Sequence, residues 1–397
     1  MRVAMVSPYS LSRPGGVQGQ VQGLARALRT LGHDVAVLAP DDRHRSGLLG
    51  PDPSGAVAYS IGRSSAVRSN GSVAPVSLSP LSPVRVRRFA RRYGADVVHL
   101  HEPLAPLAGY GCLLSRPVPV VGTYHRSGDS RGYYVLGPLA RWANGRLAAR
   151  CAVSDAARDT VRSVLGGTYE VLFNGVEVDR FATADPWPTH GPTVLFLGRH
   201  ERRKGLGVLL DAFAGLSAPE KQAGPGGQAG EPVLWVAGDG PETEALQRRH
   251  PPSARLDWLG VLDDASVASR LAGADVLCAP SLDGESFGMV LLEGMAAGCA
   301  VVASDIPGYR AAAGGHARLV PPDDVAALRE ALATALAAGS GGADGPGVDG
   351  DGGAARRAAL AHAERWSMGR LAAQYLEVYS RVVAAGTGTP GTGERAG

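Results

Sequence analysis

Arg2-Val3-Ala4-Met5-Val6-Ser7, then a loop holding Pro14-Gly15-Gly16, then Val17, Val21, Leu24 and Leu28: this stretch decides the fold. The first run reads as a short apolar strand, and the four apolar residues after the glycines recur on one helical face. Gly32-His33 closes that helix, and Val35 to Ala39 supplies a second strand. Strand, glycine loop, helix and strand in this order make a right-handed βαβ unit, which belongs to a parallel sheet. Further strands are expected at Val97 to Leu100, Val118 to Thr123 and Arg150 to Val153.

The pattern then restarts. Thr193 to Gly198 is apolar, a basic loop Arg199 to Gly205 follows, and Leu206, Leu209, Leu210 and Phe213 mark a helix. Strands at Val233 to Ala237, Asp275 to Ala279 and Ala300 to Ala303 alternate with helical segments. Two successive doubly wound, Rossmann-like α/β domains are the economical reading, with an active cleft expected between them. A chain of 397 residues is long for one domain. The expected partition is 1–180 and 181–365, with the change-over between Asn174 and Pro188. A helix over 366–384, spaced by Leu371, Tyr375, Val378 and Val382, is expected by fold analogy to return to the first domain. A disordered tail is expected over 385–397. Gly224 to Gly230, Ala338 to Ala354 and that tail lack the apolar content that would offset the entropy of ordering them.

Hydrophobic residues make up 45% of the chain and charged ones 19%, which supports packed cores. A net charge of +3 gives no bulk field for nucleic acid, so any anion site must be local. Cys112, Cys151, Cys278 and Cys299 lack metal-ligand spacing and read as buried thiols of a cytosolic protein. The strand at the very start argues against a secretory leader. No stretch approaches the roughly 18 to 20 apolar residues that span a bilayer, so the protein is expected to be soluble or to lie on a membrane.

Three loops carry chemistry. Gly15-Gly16 stands where a strand hands over to a helix, and without Cβ atoms both let backbone N–H groups approach an anion; a plain tight turn uses the same residues. Gly198-Arg199-His200-Glu201-Arg202-Arg203-Lys204-Gly205 puts cations directly after a strand end, where an α/β sheet presents its ligand. A diphosphate leaving group needs such cations as its bond breaks, although a solvated basic loop is the alternative. Glu285-Ser286-Phe287-Gly288-Met289-Val290-Leu291-Leu292-Glu293 follows the strand ending at Pro280 and leads into a helix. Glu285 at the pre-helical end is placed to meet sugar hydroxyls and Glu293, about two turns on, to meet a ribose. The N–H groups of Ser286 to Gly288 are placed to receive phosphate.

A Gly-Gly loop, a G-R-x₄-K-G loop and E-x₇-E, in this order, resemble the GT-B glycosyltransferases of family 4, from Arg2 to about Tyr379. Within that family, several stretches are similar to the actinobacterial enzymes that mannosylate phosphatidylinositol. They are Met5 to Ser10, Pro14 to Gln18, Asn70 to Ala74, His99-Leu100-His101-Glu102-Pro103, Asn174 to Val176 and Gly284 to Met289. The resemblance implies a retaining hexosyltransferase, GDP-mannose as donor and no essential metal. It implies that Gly15, Gly16, Arg199, Arg203, Lys204, Asp263, Ser286, Phe287, Gly288, Met289 and Glu293 bind the nucleotide sugar, with Glu285 on the hexose. His125 is implied as the cleft histidine that stabilises the transition state by hydrogen bonding. Tyr9, Gln18 and Asn70 match positions that hold an inositol-phosphate acceptor.

Departures cluster at the acceptor side. Ser69 stands where the family has Tyr and Pro75 where it has a phosphate-binding Arg; near the nucleotide, Val267 stands where the family has a Lys after Asp263-Asp264. A soluble acceptor, in glycoconjugate or secondary-metabolite assembly, therefore stands as the alternative to a lipid or polyol of the phosphatidylinositol type. Val84-Arg85-Val86-Arg87-Arg88-Phe89-Ala90-Arg91-Arg92 reads as a helix whose arginines fit an anionic leaflet or a solvated face. The implied location is cytoplasmic, peripheral on the inner face of the membrane, without nucleic-acid partners.

Overall fold

A computed structural model of the chain describes residues 1–11, 15–42, 47–51, 55–69, 72–77, 79–105, 108–116, 118–126, 137–216, 230–285, 287–339 and 351–387. They form two compact units, Met1–Gly175 with Met368–Gly397, and Val176–Ser367.

The first unit holds β1 (Arg2–Val6), β2 (Asp34–Asp41), β3 (Gly47–Pro51), β4 (Val57–Ser69), β5 (Ser72–Ser77), β6 (Val97–His101), β7 (Val120–Tyr124), β8 (Ala149–Ala152) and β9 (Glu170–Val171). Their order is β3-β4-β2-β1-β6-β7-β8-β9, with β5 on β4. β1 pairs in parallel with both β2 and β6, and β6 with β7. β6 and β7 are buried along their whole length, and His99, His101 and Thr123 are buried among their apolar residues. The antiparallel β3-β4-β5 ribbon departs from the purely parallel sheet expected from the βαβ pattern. Serines, Gly62 and arginines interrupt β4, so its apolar alternation is weak.

The helix Gly16–Thr30 buries Val21, Leu24, Ala25 and Leu28 in one core with Leu371, Tyr375, Val378, Tyr379 and Val382 of the helix Met368–Thr387. Each such large apolar side chain contributes roughly 1.5 to 3 kcal/mol by leaving water. This helix begins at Met368 and runs through Thr387, so it replaces the start of the tail expected from 385. The remainder, 388–397, lies outside the described residues, as do most of Gly224 to Gly230 and the stretch 340–350. Helices Val325–Gly339 and Asp351–Glu364 take up the two ends of the segment read as a loop over 338–354.

The second unit holds β10 (Thr193–Leu197), β11 (Val233–Ala237), β12 (Leu256–Gly260), β13 (Val276–Ala279), β14 (Ala300–Ser304) and β15 (Arg318–Val320). All pair in parallel, in the order β12-β11-β10-β13-β14-β15. The strand order reverses between β10 and β13, and ligands of such sheets bind outside the carboxyl ends at that reversal. The chain passes into this unit after Gly175, earlier than position 180. The helix Val178–Ala182 packs on the helices Asp264–Gly273 and Met289–Ala296 of the second unit, burying Val178 and Phe181.

Cys112, Cys151, Cys278 and Cys299 are buried and free. Among the described residues no helix is long and apolar enough to cross a membrane.

Candidate active site

In the second unit the loops after β10 and β13 leave neighbouring strands at the reversal point, and they meet. The Leu282 N–H donates to the Arg203 carbonyl at 2.7 Å, tying one loop to the other. Arg202–Lys204 forms a single 3-10 turn that ends at Gly205, φ +69°. A Cβ at Gly205 would lie 1.9 Å from the Pro280 carbonyl oxygen, so only glycine lets the basic loop sit this close to the end of β13. That approach brings Arg203 Nη1 to 3.1 Å from Glu285 Oε1, and Lys204 Nζ bonds the same oxygen. The Ser281 hydroxyl stands 3.5 Å from that oxygen and 2.8 Å from the Tyr309 hydroxyl.

Glu201, not singled out from the sequence, holds two of the loop's three guanidinium groups, those of Arg199 and Arg203. Its Oε1 is 3.1 Å from Arg199 Nη2, and its Oε2 accepts from Arg203 Nε at 3.0 Å. His200 points inward, its Nδ1 2.8 Å from the Thr243 hydroxyl, and burial lowers its pKa.

The helix carrying the second glutamate starts later than the sequence suggests. Gly288 is its left-handed N-cap, and Met289–Ala296 follows, so Glu293 stands early in its second turn. Glu293 is not among the groups that meet the cations of the basic loop. Its charged surroundings are Arg180, Asp264 and Glu177, and burial raises its pKa to about 7 against the pull of Arg180. Phe287 is buried against Trp366, ring centroids 5.0 Å apart. A Cβ at Gly308 would lie 2.1 Å from the Glu285 carbonyl oxygen, so the helix Pro307–Ala313 starts hard against this loop. Asp263 caps the helix Asp264–Gly273, its Oδ1 accepting from the Ser266 N–H at 2.8 Å, and that bond lowers its pKa. Ser286 and Asn70 lie outside the described residues.

In the first unit the strand order reverses between β1 and β6, and the loops after β1, β6 and β7 carry the expected residues. Gly16 is the exposed first residue of its helix, and a Cβ there would meet nothing within 4 Å. No acidic residue occupies the first turn, so the positive helix end is uncompensated. Gly15 is extended and lies against the Gln18 side chain, whose Nε2 is 3.4 Å from the Ser10 carbonyl. Tyr9 bridges Val76 of β5, and its phenol pKa is raised, first by burial and then by Glu102.

His125 follows β7. Its backbone N–H donates to Glu102 Oε1 at 2.7 Å, and its Nε2 lies 2.9 Å from His101 Nδ1. Burial depresses its pKa to about 4, so the ring is neutral near pH 7. Glu102 holds φ +50°, a strained conformation for a non-glycine residue at the end of β6. His101 and Glu102 were legible only as part of a similar stretch, because nothing local says which side chain they would meet.

Residues 14–180 match the family described as Glycosyltransferase Family 4, and 191–338 match Glycosyl transferases group 1. The phosphatidyl-myo-inositol mannosyltransferase of Mycolicibacterium smegmatis is 39% identical over 395 residues, covering 97% of this chain and 95% of its own. The chain belongs to glycosyltransferase family 4. The solved sucrose-phosphate synthase of Thermosynechococcus elongatus superposes with a TM-score of 0.67 at 21% identity, covering 97% of this chain and 99% of that one. Anabaena HepE in complex with UDP and glucose gives a TM-score of 0.67 at 19% identity, over 96% and 100% of the two chains. The fold of this family-4 glycosyltransferase is thus GT-B, and its two parallel-sheet units are those of a hexosyltransferase. Among the described residues of the glycosyltransferase, no group of three or more His, Cys, Asp or Glu side chains could hold a metal ion.

Proposed function

We propose that this glycosyltransferase moves mannose from GDP-mannose to phosphatidylinositol or a related lipid at the cytoplasmic surface of the membrane, retaining the anomeric configuration. The observation that carries the donor side is the meeting of Arg203 and Lys204 with Glu285 where the second sheet reverses. A nucleoside diphosphate leaves as an anion, and fixed cations aimed at it lower the barrier without a metal. Glu285, held by the same cations, is an acceptor for hexose hydroxyls, and Gly15, Gly16, Arg199, Asp263, Ser286 to Met289 and Glu293 complete the donor contacts.

The bond from the anomeric carbon to the phosphate oxygen breaks, and a bond to the acceptor oxygen forms on the same face of the sugar. The acceptor's hydroxyl proton passes to the departing phosphate. Neutral His125 contributes a hydrogen bond as charge develops on the hexose; it forms no covalent bond.

The acceptor class follows the relatives named phosphatidyl-myo-inositol mannosyltransferase, with Tyr9, Gln18 and Asn70 as acceptor contacts. A soluble acceptor is the second reading, and Pro75 favours it: this residue pairs with Ala66 across the β4–β5 hairpin and brings no cation for a lipid phosphate. The test is a transfer screen in which radiolabelled GDP-mannose, UDP-glucose and ADP-glucose are each offered phosphatidylinositol vesicles and soluble polyols. Label from GDP-mannose in the lipid fraction is expected; label confined to a polyol would select the second reading.

A further inference from the structure

We propose that His101 is a positioning residue that fixes His125 in the tautomer carrying its proton on Nδ1. The inference rests on the reading of His125 as the hydrogen-bonding histidine of the transfer. Which nitrogen carries the proton decides which edge of the ring can donate, and the partner of the other nitrogen decides that.

β6 and β7 run in parallel with His101 opposite Thr123, so the two imidazoles stand at the ends of adjacent strands. They share one contact, His101 Nδ1 to His125 Nε2 at 2.9 Å, and their rings stack with centroids 5.2 Å apart. Both rings are neutral, since burial pushes His125 down to about 4 and His101 well below its ordinary value. Between neutral imidazoles one nitrogen donates and the other accepts, which leaves two arrangements.

In the first, His125 donates from Nε2, and His101 must then carry its own proton on Nε2. That atom is buried and has no hydrogen-bond partner among the described residues, so the arrangement strands an N–H in the interior. In the second, His101 donates from Nδ1, and its Nε2 is a bare acceptor. Orphaned buried N–H groups are rarer in folded proteins than under-satisfied acceptors, and the second arrangement is the one favoured. His125 then accepts at Nε2 and keeps Nδ1–H as its donor.

The His101 ring is braced so that the arrangement persists. It packs against His99 with centroids 4.2 Å apart and the rings tilted by 33°. The Nε2 of His99 is 2.8 Å from the Thr123 hydroxyl and its Nδ1 2.7 Å from the Tyr379 hydroxyl, so neither nitrogen is open to His101. Tyr375 adds a 2.8 Å hydrogen bond to Thr123. The C-terminal helix Met368–Thr387 thereby stands behind the histidine ladder.

The test is long-range ¹H–¹⁵N NMR of the full chain with labelled histidine, His125 being assigned by the signals lost in His125→Gln. Protonated Nδ1 and bare Nε2 are expected in the unaltered protein. His101→Phe should release the tautomer and lower kcat about a hundredfold, the scale of one lost transition-state donor, with KM for the nucleotide sugar little changed. His101→Asn, whose amide can donate from about the position of Nδ1, should restore the tautomer and most of kcat. Proton density on Nε2 of His125 in the unaltered protein would overturn the proposal, as would a His101→Phe protein with unchanged tautomer and kcat. If His101→Phe shifts the tautomer as expected while His125→Ala still transfers sugar at the full rate, the role assigned to His125 fails and the tautomer assignment stands.

Discussion

Arg203 holds Glu285: the guanidinium Nη1 lies 3.1 Å from carboxylate Oε1, although the two residues belong to loops that leave different strands. Lys204 bonds the same oxygen, so two cations meet one anion beside the carboxyl ends of β10 and β13. On the proposed function, the net positive charge that remains there suits a diphosphate, and the carboxylate is the acceptor for neutral hydroxyls.

The two sides of this contact have separable effects. Lys204→Ala should weaken binding of GDP and of the nucleotide sugar together and lower kcat/KM on the order of a hundredfold. Glu285→Ala should lower kcat by a similar factor yet bind GDP at least as tightly, because the cations lose their internal partner. Titration calorimetry with GDP and steady-state transfer rates separate the two; weaker GDP binding by the Glu285 variant would contradict this division of roles.

His125 sets an acid limit. Its pKa is lowered from 6.5 to about 4 by burial, so the ring stays neutral above that value. The kcat/KM profile should therefore show no limb from this group between pH 5 and about 7. The unfolded chain gains this proton from about 6.5 downward while the folded chain does not, so stability falls as pH drops from 6.5 towards 4. An acid limb near the ordinary histidine value that disappears in His125→Gln would contradict the assignment.

Glu293 carries the opposite sign. Burial raises its pKa from 4.5 to about 7, so over that span the folded protein keeps a proton that the unfolded chain has released. Its contribution to stability declines as pH rises from 4.5 through about 7 and is level beyond. Urea unfolding from pH 5 to 8 should show the native protein losing stability relative to Glu293→Gln as pH rises. A difference independent of pH would show that the carboxyl is already ionised throughout.

The helix Ser82–Tyr93 presents Arg87, Arg88, Arg91 and Arg92 to solvent, while Val86 and Ala90 are buried. Basic clusters next to an anionic leaflet contribute about 1 kcal/mol per residue at moderate salt. Vesicles rich in anionic lipid should sediment the protein at low salt, and replacing all four arginines by Ser should abolish this while leaving GDP binding intact. Unchanged sedimentation would assign the cluster to a solvated face.

What the sequence made legible follows burial. β1, β10 and β13 are covered on both faces, so they stand out as apolar runs, and the glycine and basic loops that follow them were readable from position. The ribbon of β4 and β5 was missed because serines and arginines break its alternation. The change-over after Gly175 lies within the span Asn174 to Pro188, while the side taken by the short helix Val178–Ala182 comes from packing, which a linear pattern does not encode. Arg203, Lys204 and Glu285 were legible as types. That Glu201 would grip two arginines, or that His101 would face His125, depends on contacts between loops far apart in sequence.

The most direct measurement is transfer of radiolabel from GDP-mannose to phosphatidylinositol vesicles, followed in the lipid extract for the native protein and for Lys204→Ala. Label should appear in the lipid with the native protein, with its α configuration kept, and be lost with the variant. Lipid left unlabelled by GDP-mannose, or labelled equally by both proteins, would contradict the account.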